Sequence, residues 1–489
     1  MSRRRLIPTL CVLAGAVWVT DARAASSDGT LVIQGRGFGH GVGMSQWGAY
    51  GYATHGWDHK AILAHYFTGT AIGDASGTAD VRVLLAAGRT RATFTQATSA
   101  GGRRLDPAKT YSVTSNGLNG TVLHSPTGRA LGRAPGALRI LGGTAPVLLR
   151  GSSGAGVKDG QYRGALDVSA SAVRGVDVIN AVDLEDYVRG VVAGESPSTW
   201  PAAALQAQAV AARTYAITTD AGTATDGFTQ YADTRSQVYK GVAAETPATD
   251  TAVAATRGEV VTYAGKPVAT YFFSTSGGQT ENIENSFLGS RPEPWLKSVD
   301  DPYDDASPKH SWGPLRFTRA QATRRLKGVV KGTFRSIDVT RRGASPRVVQ
   351  ATVVGTRGST TVDGPALRKR FGLYDTWATF TTIGAKVQTP DTPAATAPKT
   401  PGTDPSGGAQ AGGASAARRP APVLSGTIAP ARSGGWVEVQ RRGDDAAHAW
   451  TTVAWATTDA HGRYRVTLPG PGTYRPLWGA AAGPELRAG

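Results

Sequence analysis

The alternation of apolar and polar residues predicts that most of this chain is built from short strands. Across residues 79–180, runs such as VRVLL, ATFTQA and GVDVINAV alternate and are separated by glycines, as in antiparallel sheets. Helical spacing is confined to a few segments: residues 45–53, residues 58–67 behind a capping Asp58, and a longer stretch over 199–217. The pattern predicts a strand-rich α+β fold with one main helix packed on a sheet.

The main predicted helix has its own start signal and buried face. Ser198 or Thr199 provides a cap, and Pro201 suits the first turn of a helix. Its predicted buried face consists of small and apolar residues at helical spacing: Leu205, Ala209, Ala212 and Ala216.

Glycine occupies every second position from Gly35 to Gly43, in the sequence GRGFGHGVG. The spacing differs from the dinucleotide-binding fingerprint, so a nucleotide fold is not indicated. If the stretch is extended, its five glycines share one face that carries no side chains. Such a face predicts close approach by a ligand or by a neighbouring segment.

Composition divides the chain further. Residues 386–422 are rich in Pro, Thr, Ala, Gly and Ser and predict a disordered linker. Beyond it, residues 423–489 contain alternating runs such as GGWVEVQRR and GRYRVTLPG, which predict a small β-sandwich module. Residues 30–385 then form the main domain.

The first 24 residues have the features of a secretory signal peptide. Arg3, Arg4 and Arg5 precede a short apolar run, and Ala22-Arg23-Ala24 closes it. No later stretch is long and apolar enough to predict a membrane span. The mature chain is therefore expected outside the cell. It would contain no cysteine, because the sole cysteine, Cys11, lies in the signal.

The chain is strongly basic, with a formal net charge of +17, which falls to +14 without residues 1–24. Nucleic acid is the usual partner of such a charge. The basic residues are nevertheless scattered, and export separates the chain from cytoplasmic nucleic acid. Attraction to an anionic cell envelope fits better, while a simply well-solvated basic surface remains the alternative.

One acidic residue stands out by its position. Glu195 lies in the sequence GESP, on a corner immediately before the main predicted helix. Such a corner is suited to directing a single side chain into a cleft. The alternative is that Glu195 only caps the helix.

Four long motifs resemble the stage II sporulation protein D (SpoIID)/LytB family. They are VDLEDYVRGVVAGESPSTWPAAALQAQAVAARTYA at 182–216, DTRSQVYKG at 233–241, YFFSTSGGQTEN at 271–282, and GFGHGVGMSQWGAYGYATHGWDHKAILAHYFTGT at 37–70. In the family the His-Gly-Val-Gly-Met-Ser-Gln block usually closes the domain, whereas here it opens it. The resemblance therefore implies a permuted arrangement in which this block returns to the same cleft.

The resemblance implies a peptidoglycan lytic transglycosylase, a lyase that cuts glycan strands between N-acetylmuramic acid and N-acetylglucosamine. Most glycosidases use two carboxylates. This reaction takes its nucleophile, the muramyl 6-hydroxyl, from the substrate, so one residue matching Glu195 serves as acid and base. A helix N-terminus should lower the pKa of Glu195, whereas a general acid needs it raised by burial.

The resemblance also implies substrate-binding roles for other positions. Arg213 matches an arginine that the family uses in activity, although a solvated helix arginine is an equal alternative. Gln206 stands where many members have lysine. Further candidates, for which local capping, packing or a plain turn is the alternative, are His40, Ser45, Gln46, Ser276, Gly277 and Gly278.

No metal or cofactor is expected. Some family members hold zinc through cysteine near the DTRSQVYKG block, where this chain has Ser236. Glu185 and Asp186 are interpreted as structural. The alternative function is a non-catalytic, wall-binding activator of a partner amidase. In both cases the partners are peptidoglycan strands, and the location is secreted and associated with the cell wall.

Overall fold

The computed structural model describes residues 29–75, 80–117, 120–222, 227–388, 421–443 and 449–488. Leu31–Thr381 form one compact unit, and the described residues from Thr382 onward belong to a second. The chain is mixed and rich in strands, as the predicted α+β class requires. The predicted signal peptide, and residues 389–420 of the predicted linker, lie outside the described residues.

The helices of the described residues all belong to the larger unit, and they include several beyond the three segments predicted from sequence. They are α1 Gln46–Thr54, α2 His59–Tyr66, α3 Leu184–Glu195, α4 Ala202–Thr218, α5 Pro247–Ala255, α6 Ile283–Ser286, α7 Arg319–Arg325 and α8 Gly364–Phe371. Two short 3-10 helices, Gly154–Gly156 and Gly241–Ala244, accompany them.

The strands of the larger unit follow one another closely along the chain. They are β1 Thr30–Arg36, β2 Met44–Ser45, β3 Ala71–Asp74, β4 Val81–Arg89, β5 Ala92–Thr95, β6 Ser99–Ala100, β7 Arg103–Arg104, β8 Tyr111–Ser115, β9 Gly120–His124, β10 Ala130–Pro135, β11 Leu138–Leu141, β12 Val147–Ser152, β13 Lys158–Tyr162, β14 Ala165–Ala170, β15 Val176–Val182, β16 Gln230–Tyr231, β17 Glu259–Tyr263, β18 Lys266–Pro267, β19 Phe272–Phe273, β20 Ser311–Thr318, β21 Phe334–Arg342, β22 Val348–Gly355, β23 Gly358–Asp363 and β24 Ala378–Gln388.

Two sheets carry most of the predicted strand region, and their pairing is antiparallel as predicted. One has the order β10-β9-β8-β5-β12-β13 and the other β16-β4-β15-β14-β11-β6-β7, in which only the short β16 runs parallel to its neighbour. Alternate residues of β4 are buried, namely Val81, Val83 and Leu85. This alternation places one face of β4 in the core that α3 and α4 cover.

Helix α4 is the predicted main helix, with a later start. It begins at Ala202 behind Pro201, and neither Ser198 nor Thr199 caps it. The predicted stripe is buried as expected, and neighbouring residues are buried too, because α4 packs between two clusters of apolar residues. The predicted helices near the N-terminus are confirmed: Ser45 caps α1, and the Asp58 side chain accepts from the Ala61 N–H in α2.

The glycine-rich segment after β1 is not a plain extended strand, so the condition for a shared glycine face is not met. Gly37, Gly39, Gly41 and Gly43 all have positive φ angles, a region open to glycine but costly for other residues. The predicted close approach does occur. A Cβ at Gly41 would lie 2.4 Å from Arg347 Nε, and one at Gly43 would lie 2.1 Å from the Tyr271 carbonyl oxygen.

The smaller unit is built from strands, as predicted for the C-terminal module. Its strands are the end of β24, β25 Val423–Ala429, β26 Trp436–Arg442, β27 Trp450–Thr457, β28 Arg463–Thr467, β29 Gly472–Trp478, β30 Ala481–Ala482 and β31 Leu486–Ala488. β25 pairs with β24 and β28, while β26 lies between β27 and β29 in a second antiparallel sheet. β24 contains residues 386–388, which were predicted to open the linker.

Candidate active site

The structure brings Gln46 to Glu195, although 149 residues separate them in the chain. Gln46 Nε2 donates to Glu195 Oε2 at 3.1 Å. The contact arises because β2 pairs with β19, which places the glycine-rich block beside the YFFSTSGGQTEN block. Isolated bridges from Phe38 to Thr275 and from Val42 to Glu281 continue this alignment. The early block therefore contacts Glu195 through Gln46.

Glu195 is the last residue of α3, which corrects its predicted position at a helix N-terminus. The C-terminal end of a helix carries partial negative charge and disfavours an ionised carboxylate. Burial raises the pKa of Glu195, while hydrogen bonds from the Val238 N–H and Gln46 and the charge of Lys240 lower it. The side chain remains partly exposed. The helix end and burial were expected from sequence to have opposite effects on the pKa of Glu195. In the structure both raise this pKa and favour the protonated acid.

Both carboxylate oxygens of Glu195 are oriented by the protein. The Val238 N–H donates to Oε1 at 2.7 Å, and Gln46 donates to Oε2. Gln46 is also close to Gln208, with 3.4 Å between its Nε2 and Gln208 Oε1. Sequence reasoning missed Gln208 and Val238. The signal for Gln208 is a polar residue on the alanine-rich face of α4, where it is 1% exposed.

Three aromatic side chains pack together next to these residues in the chain. Trp47 and Tyr50 follow Gln46 on α1, and Trp200 follows Glu195 by five positions. Their ring centroids lie 5.1 Å apart for Trp47 and Trp200 and 5.3 Å apart for Tyr50 and Trp200. All three rings are partly exposed, so they offer apolar surface to a ligand.

Arg213 lies inside the protein, away from solvent. It is 0% exposed, and its guanidinium donates to both Glu185 oxygens at 2.8 Å and to the Glu259 carbonyl at 3.1 Å. These bonds tie the first turn of α3 to α4 and to β17. In this arrangement the Arg213 guanidinium is engaged by acceptors of the protein, and its predicted role in substrate binding stays a prediction. Glu185 lies in the first turn of α3, which follows β15 directly, and it accepts two of the Arg213 hydrogen bonds.

Gln206 is half-buried on α4 and has no hydrogen bond to Glu195 within the described ranges. The positive charge that lowers the pKa of Glu195 is Lys240, from the DTRSQVYKG block. Lys240 is partly exposed. A cation is therefore present beside Glu195 although Gln206 replaces the lysine that the family resemblance implies at that position.

The predicted serine and glycine contacts are engaged within the protein. Ser45 is 0% exposed and caps α1 by accepting from the Gly48 N–H. Ser276 is also 0% exposed and donates to Asp304 at 2.9 Å, while the Gly277 N–H donates to the same carboxylate. The Gly278 N–H donates to Ser276 Oγ at 3.0 Å. These residues shape the turn, and of them only the Gly278 backbone is partly exposed.

His40 does not contact Glu195. Its Nδ1 accepts from the Val42 N–H at 3.1 Å, and burial together with the charge of Arg368 lowers its pKa to about 3. His40 is therefore neutral at physiological pH. It lines a cavity of about 420 Å³ together with Phe287, Arg368 and Leu373.

A buried acid, Asp301, lies behind the site and was not singled out from sequence. It is 0% exposed, and burial, followed by the neighbouring charge of Asp304, raises its pKa to about 7. In the unfolded chain Asp301 has its ordinary pKa near 3.8. As pH rises, Asp301 therefore ionises at a lower pH in the unfolded chain than in the folded protein. Stability from this residue is therefore lost between about pH 4 and pH 7.

We expect Asp301→Asn to remove this pH dependence, because asparagine does not titrate. Between pH 4 and pH 8 the free energy of unfolding of the variant should rise relative to wild type by at least ~1.4 kcal/mol, the equivalent of one pKa unit. Urea unfolding at pH 4, 6 and 8 measures the difference. The exposed Asp305→Asn serves as a control and should follow wild type. Parallel curves for wild type and Asp301→Asn would contradict the expectation.

No group of three or more His, Cys, Asp or Glu side chains suited to a metal ion occurs among the described residues. Two histidines near the N-terminus have separate partners. His55 stacks on Tyr303 with ring centroids 4.0 Å apart, and His59 lies 2.7 Å from Glu259.

None of the helices in the described residues has the length and apolar character of a membrane span.

Comparison with known proteins identifies relatives of part of the chain. Residues 173–263 match the family model SpoIID, Stage II sporulation protein. The chain is 35% identical over 216 residues to Stage II sporulation protein D of Bacillus subtilis (strain 168), covering 40% of this chain and 59% of that protein. It is 32% identical over 210 residues to the Bacillus amyloliquefaciens protein of the same name, again covering 59% of that protein. It is also 37% identical over 105 residues to the Amidase enhancer of Bacillus subtilis (strain 168), covering 14% of that protein.

Proposed function

We propose, from the match of residues 173–263 to the SpoIID family model, that the chain cleaves peptidoglycan glycan strands between N-acetylmuramic acid and N-acetylglucosamine. Glu195 is the general acid and base, and the product carries a 1,6-anhydro-muramyl end. The observation that carries the proposal is a partly exposed carboxylate at the end of α3, whose pKa burial raises and whose two oxygens are oriented by Val238 and Gln46.

The chemistry requires one group that gives up a proton and then takes one back. Protonated Glu195 donates to the glycosidic oxygen as the bond to the muramyl C1 breaks, and N-acetylglucosamine leaves with a hydroxyl group. Ionised Glu195 then accepts the proton of the muramyl 6-hydroxyl while that oxygen bonds to C1. No water is consumed, and the carboxyl group ends protonated as it began.

The surroundings of Glu195 suit this single-acid scheme. Its carboxylate oxygens accept from an amide N–H and from a glutamine, which hold them in place. Lys240 can stabilise the ionised intermediate state. The partly exposed rings of Trp47, Tyr50 and Trp200 suit stacking against sugar rings.

A second candidate function has a specific observation behind it. The similarity to a protein named Amidase enhancer favours a non-catalytic role, in which the same groove binds the wall and the chain stimulates an amidase. In both functions the place of action is outside the cell and at the wall. The presence of an acid in a suitable position does not by itself decide between them.

Product analysis separates the two functions. Wild-type protein is incubated with intact peptidoglycan and with glycan strands whose stem peptides have been removed, and the soluble products are examined by mass spectrometry. We expect 1,6-anhydro-muramyl ends from at least one substrate. If neither yields them, while a wall amidase is stimulated by the same protein, the lyase proposal is wrong and the activator function stands.

A further inference from the structure

The smaller unit exposes two tryptophans on one sheet face. Trp436 on β26 is 64% exposed and Trp455 on β27 is 55% exposed. Trp436 pairs with Thr457 and Trp455 pairs with Glu438, so the two indoles lie diagonally across adjacent strands. Their ring centroids are 6.4 Å apart and their planes are nearly perpendicular, at 85°. Exposed patches of large apolar side chains are a common mark of interaction sites.

These tryptophans are not required by the core of the unit. Val437, Val439 and Ala456 alternate with them along β26 and β27 and are buried on the opposite face. Because successive strand residues point to opposite faces, the core is already formed without either indole. Exposed tryptophans cost solubility, so their presence on the outer face needs a reason outside folding.

Polar side chains continue the same face next to the indoles. Gln440 Nε2 donates to Glu438 Oε1 at 2.8 Å, and Thr452 also donates to Glu438. Arg475 on β29 donates twice to Gln440 Oε1, at 3.0 and 2.8 Å, and its guanidinium lies 4.1 Å from the centroid of the Trp450 ring. We call this surface the tryptophan face; it consists of Trp436, Trp455, Glu438, Gln440, Thr452 and Arg475.

The charges on the tryptophan face are balanced. Glu438 and Arg475 are linked through Gln440, and the adjacent Arg442 pairs with Glu485 at 2.7 Å. A polyanion such as a phosphate polymer would select a surface with uncompensated cations. A stable protein interface would need a wider apolar centre than two rings. A ligand with small apolar faces and a rim of hydroxyl groups matches alternating indoles and hydrogen-bonding side chains.

From this match we propose that the tryptophan face binds an uncharged polysaccharide, with sugar rings packed against Trp436 and Trp455 and hydroxyl groups bonded to Glu438, Gln440 and Arg475. The site is separate from Glu195 and does not depend on the reaction proposed for it. The ligand of the C-terminal module is then a polysaccharide. Its binding holds the chain on insoluble glycan, whichever of the two proposed functions the larger unit performs.

The test uses the full chain and sedimentation with two insoluble probes, chitin and peptidoglycan freed of phosphate polymers. Cell walls that retain these polymers serve as the comparison material. Trp436→Ala/Trp455→Ala should raise the concentration needed for half-saturation of both probes by about tenfold or more, since two aromatic contacts are lost. Trp436→Tyr/Trp455→Tyr should recover most of the binding. Trp57→Ala, which removes an exposed indole from the larger unit, is the matched control and should bind chitin as wild type does.

Equal binding of the alanine variant and wild type to both probes would overturn the proposal. So would a loss seen only on walls that retain their phosphate polymers, because the ligand would then be the polyanion. Sedimentation velocity tests whether a second copy of the chain binds the tryptophan face. If wild type self-associates and the alanine variant is a monomer, the face is an interface between copies and the proposal is wrong. Unchanged thermal unfolding of the alanine variant shows that the module remains folded.

Discussion

Glu195→Gln is expected to lower the rate of 1,6-anhydro product formation by ~10²–10⁴, the usual contribution of general acid–base catalysis. Glutamine retains the size of the side chain and can accept from the Val238 N–H, but it has no transferable proton. Binding to insoluble glycan should persist, because the rings of Trp47, Tyr50 and Trp200 and the tryptophan face are unchanged. The assay measures product from peptide-free glycan by mass spectrometry, with sedimentation of the same protein as the binding measurement.

The stability of this variant should not fall. Because burial raises the pKa of Glu195 in the folded protein, the ionised form costs stability above that pKa, and glutamine removes the cost. The activity of wild type should decline as pH rises through the same pKa, since the protonated acid is lost. Glu284→Gln, at another half-buried glutamate, is the control and should keep full activity. Equal product from wild type and Glu195→Gln would remove Glu195 from the mechanism.

Arg347→Met is expected to be the most destabilising single change of a charged side chain, by ~3–5 kcal/mol, because it leaves a buried charge without its partner. Arg347 and Asp375 are 1% and 0% exposed and are joined by two hydrogen bonds, of 2.9 and 3.0 Å. The same guanidinium donates to the carbonyls of Ser276 and Gln279 at 2.7 Å. It therefore anchors the turn next to the glycine-rich segment as well as Asp375.

Urea unfolding at neutral pH measures this effect. Arg341→Met, at an exposed position on β21, is the matched control and should change the free energy of unfolding by less than ~0.5 kcal/mol. Adding Asp375→Asn to Arg347→Met should restore part of the loss, because the uncompensated charge is then gone. If Arg347→Met unfolds like the exposed control, the buried pair does not have the stabilising role that its burial indicates.

Much of the fold could be predicted because its signals are local. The caps at Ser45 and Asp58, the buried stripe from Leu205 to Ala216 and the alternation in β4 depend on residues a few positions apart. The start of α4 was predicted too early, since Ser198 and Thr199 resemble caps but Pro201 opens the helix. Helix α3 was missed, because the sequence around Glu195 was interpreted only as a corner before the next helix.

The candidate site was predictable only as a set of residues, not as an arrangement. Glu195 and Gln46 were both selected from motifs, and the structure places them in contact. Arg213 and Ser276 came from the same motifs, yet both are fully buried and bonded within the protein. A motif records which residues belong together but does not separate those that face a groove from those that support it.

By itself, therefore, the sequence determined the strand-rich α+β class, the family resemblance and the identity of the candidate acid, because periodicity and motifs are read along the chain. Only the tertiary structure decided that Glu195 ends α3, that Gln46 reaches Glu195 from a distant segment, and that the Arg213 guanidinium pairs with Glu185. The physical reason is that burial and hydrogen-bond partners, which set the pKa of Glu195 and the accessibility of Arg213, come from segments far apart in the chain.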